Sequence, residues 1–351
     1  MITENGYNSA SGKKLNIGLV SLGCPKNLVD SEMMLSLFVK NGYNVVNDER
    51  NADVIVVNTC CFIEDAKQES INAILEMETL KQNGKCRILA VTGCLAERYG
   101  EEIIREIPGV DVVVGTGKFD RIAEAVRKSL KNGRQVLCGD PGITAIKGIK
   151  RHRCSRGVSA YIKIAEGCDN RCSYCIIPAV RGCFKSRPLE GIVKEADELA
   201  EDGVSELILV AQDTTAYGTD IYGRKMLPEL VKRLCTIDKI EWIRIMYVYP
   251  DKIDDELIEV MAEKEKVCRY LDMPVQHVSD GILKRMDRRG TGKEIVDLVR
   301  KLKERVPGIA LRTTLLVGFP GETEEDFEEL KDFVRTARFD RLGAFAYSRE
   351  E

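Results

Sequence analysis

Between residues 15 and 138, short runs of Val, Ile and Leu alternate with longer stretches in which apolar positions recur every three to four residues. The short runs predict strands over 15–22, 53–58, 87–92, 111–114 and 135–138. The longer stretches predict helices over 28–40 and 62–81, a third ending at 105 and a fourth over 119–130. Asp30 and Glu32 fall in the first turn of the first helix, where acidic side chains suit the helix dipole. Strands that are apolar throughout, separated by helices, predict a parallel sheet covered on both faces. We expect a flavodoxin-like α/β domain over 15–138, preceded by a polar, disordered tail over 1–14.

The alternation breaks at 139–156, GDPGITAIKGIKRHRCSR, which is Gly-rich, basic and aperiodic and reads as a linker. It resumes over 157–351 with strands predicted at 160–166, 206–211, 242–247, 270–273, 310–317 and 342–347. Helices are predicted at 189–201, 228–235, 292–305 and 324–338. Six βα units without an eighth predict a partial (β/α)6 barrel, with chemistry at the carboxyl ends of its strands. No closing helix follows the sixth strand, so the sequence is expected to stop short of the barrel's end.

The 351 residues are 44% apolar and 31% charged, with a net charge of −3, which does not point to a nucleic-acid binder of the simple basic-patch kind, although a mildly acidic protein can still carry a local basic patch. No run approaches the ~20 apolar residues of a membrane-spanning helix, and no signal peptide is evident. A cytoplasmic protein without membrane association is expected. Thirteen cysteines then change the picture. Disulfides do not persist in a reducing compartment, so patterned cysteines there point to metal or redox chemistry.

The sharpest pattern is Cys168-Asp-Asn-Arg-Cys172-Ser-Tyr-Cys175, directly after a predicted strand. Thiolates hold iron–sulfur clusters, and three of them on a four-iron cluster leave one iron open to bind a cofactor or substrate. Zinc is the plainer alternative, but a structural zinc site takes four closely grouped ligands, and Cys154 and Cys183 are the nearby candidates for a fourth. Cys24, Cys60 and Cys94 form a second set, each just after a predicted strand of the first domain. Parallel strands bring such ends to one edge of a sheet, so these three thiols are expected to converge, against the alternative of three buried packing cysteines. Cys86, Cys138, Cys235 and Cys268 read as packing residues. Gly115-Thr-Gly-Lys118 and Gly290-Thr-Gly-Lys293 lack the spacing of a P-loop and read as helix-start turns. Arg285, Arg288 and Arg289 read as a solvated face, with contact to an RNA or an acidic partner as the alternative. His152 and His277 are the two histidines, which gives little support to histidine acid–base chemistry; no catalytic group beyond the cluster ligands is singled out.

The Cys168–Cys175 run resembles the signature of radical S-adenosylmethionine (SAM) enzymes. With Cys24, Cys60 and Cys94 it resembles the methylthiotransferases of that class. SLGCPKNLVDSE at 21–32 resembles the RimO branch, which modifies ribosomal protein twelve of the small subunit; the tRNA-modifying MiaB branch has a Gln-Met-Asn variant after its cysteine. VTGCLAER at 91–98, Ile177-Pro178 with Arg181-Gly182, LDMPVQH at 271–277 and GFPGET at 318–323 add to the likeness, which runs from residue 15 to the last. Cys61, Cys183 and Lys185 depart from the family pattern, and the family's C-terminal β-barrel (TRAM) domain is absent from this sequence.

The resemblance implies two 4Fe-4S clusters, on Cys168/Cys172/Cys175 and on Cys24/Cys60/Cys94, and SAM as the source of a carbon radical and of a methyl group. It implies transfer of a methylthio group to the β-carbon of an aspartate in the ribosomal protein. It further implies a one-electron donor such as flavodoxin or ferredoxin, a sulfur donor, and a monomeric enzyme. For SAM it points to Gln212 and Asp213 at the second barrel strand, Gln276 at the fourth, and Gly318, which would allow close approach of the adenine. Tyr174 reads either as an adenine contact or as a packing aromatic, and Ser279 either as a SAM contact or as a helix N-cap. The competing readings are a MiaB-like tRNA methylthiotransferase and, outside catalysis, an electron-carrying or zinc-stabilised binding module.

Overall fold

The computed structural model describes residues 14–139, 141, 150–154 and 157–349. The tail expected over 1–14 lies outside them apart from Lys14, as does much of the linker. The chain forms two compact units. Residues 179–182, Ala179–Gly182, belong with the first of them although they come later in the chain.

In the first unit the strands are β1 (Asn16–Ser21), β2 (Asn44–Val45), β3 (Val54–Thr59), β4 (Ile88–Gly93), β5 (Val112–Val114) and β6 (Gln135–Leu137). They form one parallel sheet in the order β2-β1-β3-β4-β5-β6. That is the flavodoxin-like order with one strand added. β3, β4 and β5 are buried at every position, as expected for strands covered on both faces. The connecting helices are α1 (Pro25–Lys40), α2 (Glu64–Asn83), α3 (Cys94–Glu106) and α4 (Ile122–Asn132). α1 starts three residues before the expected boundary, because Pro25 at its first position has the backbone angle a helix start needs and no N–H to lose. Asp30 and Glu32 therefore lie beyond the first turn, and their expected role at the dipole gives way to buried bonds. The linker's described part is tied down: Glu32 pairs with Arg151 Nε at 2.9 Å and accepts the Cys154 N–H at 2.9 Å.

From the second unit's start the chain runs β7 (Ser159–Lys163), β8 (Ala165–Glu166), α5 (Ile177–Arg181, whose last three residues belong with the first unit), β9 (Lys185–Ser186), α6 (Leu189–Glu201), β10 (Glu206–Val210), α7 (Leu227–Leu234), β11 (Trp242–Ile245), α8 (Asp255–Glu263), β12 (Val267–Asp272), α9 (Asp280–Arg285), α10 (Gly292–Arg305), β13 (Ala310–Val317), α11 (Glu324–Ala337) and β14 (Arg341–Ala346). Six strands form a parallel sheet in sequence order, β7-β10-β11-β12-β13-β14, which is the open partial barrel; β8 and β9 make a separate antiparallel pair. The pleat sorts the side chains. Leu207, Leu209, Ile243, Ile245, Leu271 and Leu311 are buried in the core that includes the helices. Charged residues at some of the alternate positions pair across strands: Arg244 with Glu206 at 2.8 Å, and Arg312 with Asp272 at 2.6 Å.

The two GTGK segments are helix-start turns. Thr116–Arg121 is a 3-10 turn leading into α4, and Thr291 forms a reciprocal capping box with Glu294 at the start of α10. Ser279 stands at the N-cap position of α9 but caps nothing; its hydroxyl donates to Asp326 at 2.5 Å.

Candidate functional site

The first unit gathers its cysteines at the carboxyl edge of its sheet. Cys24 follows β1 and is the N-cap of α1, Cys60 follows β3, and Cys94 follows β4 and opens α3. Two glycines permit this. Gly23 has φ +84, and a Cβ there would lie 2.8 Å from Cys60 Cβ. Gly93 has φ +96, and its Cβ would lie 2.4 Å from the Thr59 carbonyl oxygen. Only glycine turns the chain at these points while letting the cysteine-bearing segments approach. The three thiols sense one another: the Cys24 thiolate pushes Cys60 up, and both push Cys94 up. For Cys60 and Cys94 burial is the largest cause of the rise. Burial also acts on Cys24, but the charges of Lys26 and Arg181 and the N–H groups of Asn27 and Lys26 outweigh it and hold that thiol below its ordinary value.

Around the cysteines lies a buried polar frame. Asn27 Nδ2 donates to the carbonyls of Leu22 and Thr59, both at 2.9 Å. Asn58 Nδ2 donates to the Asn27 carbonyl and to Ser31 Oγ, each at 2.9 Å. Arg181 donates to Cys94 Sγ at 3.3 Å, to Asp30 Oδ2 at 2.8 Å and to Asn27 Oδ1. Cys61 is fully buried beside the site, and its thiol is pushed up to about 12, first by burial.

In the second unit Cys168, Cys172 and Cys175 sit on the loop between β8 and α5, half-buried. Burial is the main cause raising Cys168 and Cys175, the latter to about 12, and the neighbouring thiolates add to both. The loop is pinned at several points. Asn170 Nδ2 donates to Asp213 Oδ2 at 2.9 Å, and Lys252 Nζ reaches Asp213 Oδ2 at 2.6 Å and Asn170 Oδ1 at 2.9 Å. Ser173 donates to the carbonyls of Arg285 and Met286, at 2.9 and 3.0 Å. Cys172 Sγ lies 3.5 Å from the Tyr249 hydroxyl. Arg288 is not on a solvated face: its guanidinium stacks 4.2 Å above the Tyr249 ring and donates to the Pro274 carbonyl at 2.8 Å and to the Tyr174 hydroxyl at 3.3 Å.

The residues expected at SAM fall into two groups. Gln212 follows β10; its Nε2 donates to Glu166 at 2.7 Å, while its Oε1 is buried with no partner among the described residues. Gln276 follows β12 in the left-handed region, at φ +70, held by paired backbone bonds to Thr314 and Leu316. A non-glycine residue in that region is strained, and such strain gathers at functional sites. Gly318 follows β13 at φ +72, with no atom of the other described residues within 4 Å of the place a Cβ would occupy. These three present open polar or vacant positions at strand ends. Asp213 and Tyr174 are instead engaged. Asp213 is 1% exposed, and its other oxygen accepts from Thr215 N–H at 3.1 Å and Oγ1 at 2.5 Å. Tyr174 packs against Ile282, Met286 and Phe319.

His277 is fully buried, and Ser279 N–H donates to its Nδ1 at 3.0 Å. Sequence reasoning missed Asn27, Asp30, Arg181, Asn170, Lys252, Tyr249 and Arg288 as parts of these sites. Asn27, Asp30 and Arg181 lay inside the motifs that carried the resemblance, which was their only signal.

Thiolates are the ligand type an iron–sulfur cluster takes, and each set supplies three cysteines. Among the described residues, no three His, Cys, Asp or Glu side chains form a site for one metal ion, as zinc would need. A four-iron cluster takes each thiolate on a separate iron, so its ligands stand further apart.

Residues 16–115 match the Uncharacterized protein family UPF0004, and residues 162–334 match the Radical SAM superfamily. The chain is 56% identical over 337 residues to ribosomal protein uS12 methylthiotransferase RimO of Lachnoclostridium phytofermentans, covering 96% of this chain and 77% of that one. It is 53% identical to the same-named protein of Geobacter sulfurreducens, covering 97% of this chain and 76% of that one. Among solved structures it resembles the radical SAM methyltransferase TsrM of Kitasatospora setae, with a TM-score of 0.69 and 16% identity over 96% of this chain and 73% of that one. It also resembles the cobalamin-dependent SAM radical enzyme OxsB, with a TM-score of 0.66 and 13% identity over 92% of this chain and 52% of that one. At such identities these likenesses concern the fold. The identity to curated relatives over almost the whole sequence, joined to one cysteine triplet after parallel strands of the first unit and another on the β8–α5 loop, makes this chain a member of the RimO-type methylthiotransferase family of radical SAM enzymes.

Proposed function

We propose that this protein is a radical SAM enzyme that adds a methylthio group to the β-carbon of an aspartate in ribosomal protein uS12. The observation that carries the reading is the pairing of two three-cysteine sites in a chain 56% identical to a curated uS12 methylthiotransferase. Cys168, Cys172 and Cys175 would hold one 4Fe-4S cluster with an iron open to SAM, and Cys24, Cys60 and Cys94 a second. When bound, these groups supply the radical chemistry that an unactivated C–H bond requires, together with the sulfur and the methyl group.

The chain's own residues hold and shape the cofactor. Gln212 offers a buried acceptor without a partner among the described residues, suited to an ammonium or hydroxyl donor of SAM. Gln276 and Gly318 present a strained backbone and open space at neighbouring strand ends, suited to the ribose and the adenine. Asp213 has both oxygens committed, so its role is to anchor Asn170 in the cluster loop, with Lys252 balancing its charge. Tyr174, within that loop, packs it against Ile282, Met286 and Phe319. A one-electron donor such as flavodoxin or ferredoxin and a sulfur donor complete the reaction, with a monomeric enzyme acting in the cytoplasm. Among the described residues no helix is long and apolar enough to cross a membrane.

The test has two readouts. Anaerobic iron and sulfide quantitation should give about eight irons in the wild type, and about four in each triple Cys→Ala variant, C24A/C60A/C94A and C168A/C172A/C175A. Mass spectrometry of uS12 from a deletion strain, with and without this chain, should then show the gain of one methylthio group. A gain on a tRNA adenosine instead would reassign the substrate. Four irons in the wild type, all lost with the second triplet, would refute the two-site reading.

A further inference from the structure

We infer that Arg181 is a positioning residue for the Cys24/Cys60/Cys94 site, holding the Cys94 sulfur and setting the reduction potential of the cluster bound there. The inference rests on the reading of that site as a cluster site. Although Arg181 follows the second cysteine triplet in sequence, Ala179–Gly182 belong to the first unit. Its side chain is 3% exposed, so its charge acts in a poorly solvated setting where electrostatic effects are strong.

The guanidinium uses three of its edges. Nε donates to Cys94 Sγ at 3.3 Å, Nη1 to Asp30 Oδ2 at 2.8 Å, and Nη2 to Asn27 Oδ1. Asn27 passes the constraint on, because its Nδ2 holds the carbonyls of Leu22 and Thr59, which stand just before Cys24 and Cys60. One side chain is thus bonded to one of the three sulfurs directly and to the approaches of the other two through a single intermediary. A planar fork meets these three directions at once, and a lysine ammonium does not.

Hydrogen bonds to ligand sulfurs and the net charge near a cluster set its potential. One-electron reduction adds negative charge to the site. A buried cation donating to a ligand sulfur favours the reduced state, and the Asp30 carboxylate, paired with that cation, offsets part of the effect. Removing Arg181 and neutralising Asp30 should therefore move the potential in opposite directions.

The test uses the full chain carrying C168A/C172A/C175A, reconstituted anaerobically so that only the first site contributes, with the midpoint followed by electron paramagnetic resonance. We expect R181Q to shift the potential down, R181K to stay nearer the parent, and D30N to shift it up. An arginine that only supports the fold would lower iron content in R181Q and R181K alike and leave the potential of the remaining cluster in place. That result, or a D30N shift of the same sign as R181Q, overturns the inference. If R181Q retains no cluster, R181K and D30N carry the comparison. If the parent itself binds no iron, the cluster reading of the site fails, and the inference with it.

Discussion

Asp213 and Lys252 form an ion pair at 2.6 Å whose side chains are 1% and 19% exposed. D213A removes the carboxylate and leaves the ammonium donating to Asn170 Oδ1. Breaking a buried pair from one side costs about 3–5 kcal/mol, because the remaining charge stays desolvated. The partial exposure of Lys252 puts the pair at the lower end of that range. The two lost bonds from Thr215 add about 1 kcal/mol, the usual worth of a capping carboxylate. We therefore expect D213A to lose about 4 kcal/mol, a large share of the ~5–15 kcal/mol typical of a domain. K252A should lose less, since Asp213 keeps the Asn170 and Thr215 donors. The double variant D213A/K252A should recover a coupling energy of about 2 kcal/mol. Trp242, the single tryptophan, opens β11 in the same sheet, so its fluorescence in guanidinium titrations follows this unit. Because Asn170 lies between Cys168 and Cys172, D213A should also retain less iron after reconstitution. A coupling energy below about 0.5 kcal/mol, the scatter expected of independent sites, would refute the account of this pair as the loop's anchor.

G93A should destabilise the first unit by more than about 2 kcal/mol in thermal unfolding, since it adds left-handed strain of roughly 1–2 kcal/mol and puts a methyl group against the Thr59 backbone; a midpoint equal to wild type would contradict this. G318A meets no atom of the other described residues and should lose only about 1 kcal/mol of stability, while weakening SAM binding measured by calorimetry by about tenfold or more. Unchanged SAM affinity would remove Gly318 from the binding site. His277 is held below its ordinary 6.5, with burial the largest cause. The unfolded chain therefore takes up this proton first, so the stability from the neutral ring is present above pH 6.5 and lost as the pH falls through the lowered folded value. Between pH 7.5 and 5.5 the denaturation midpoint of wild type should fall more than that of H277N, whose amide oxygen can replace Nδ1 as the acceptor for Ser279 N–H. Parallel pH profiles would show that His277 does not carry the dependence.

Much of this protein is decided by local pattern. The boundaries of α6, α10 and β13 match those read from periodicity, because a full helical face or a long apolar strand states its own period. The placement of the cysteines was legible too, three along a single loop and three each just after a parallel strand. Local pattern says less where a side chain has two possible partners. Ser279 has the residue type and position of an N-cap, yet its hydroxyl goes to Asp326, which only the folding of α11 brings near. Asp213 and Gln212 are adjacent at the end of one strand, and the sequence reads both as polar strand-end contacts. The tertiary structure separates them, surrounding Asp213 with Asn170, Thr215 and Lys252 and leaving Gln212 Oε1 without a partner among the described residues. The left-handed turn at Gln276 is equally hidden, because its residue type does not favour that conformation and the bonds to Thr314 and Leu316 impose it. Arg181 is the furthest case: no periodicity links it to Cys94, and their contact exists because the chain returns to the first unit for four residues. Hydrophobic period and backbone preference act over a few neighbouring residues, whereas a buried polar bond depends on which distant group arrives with its own need unmet.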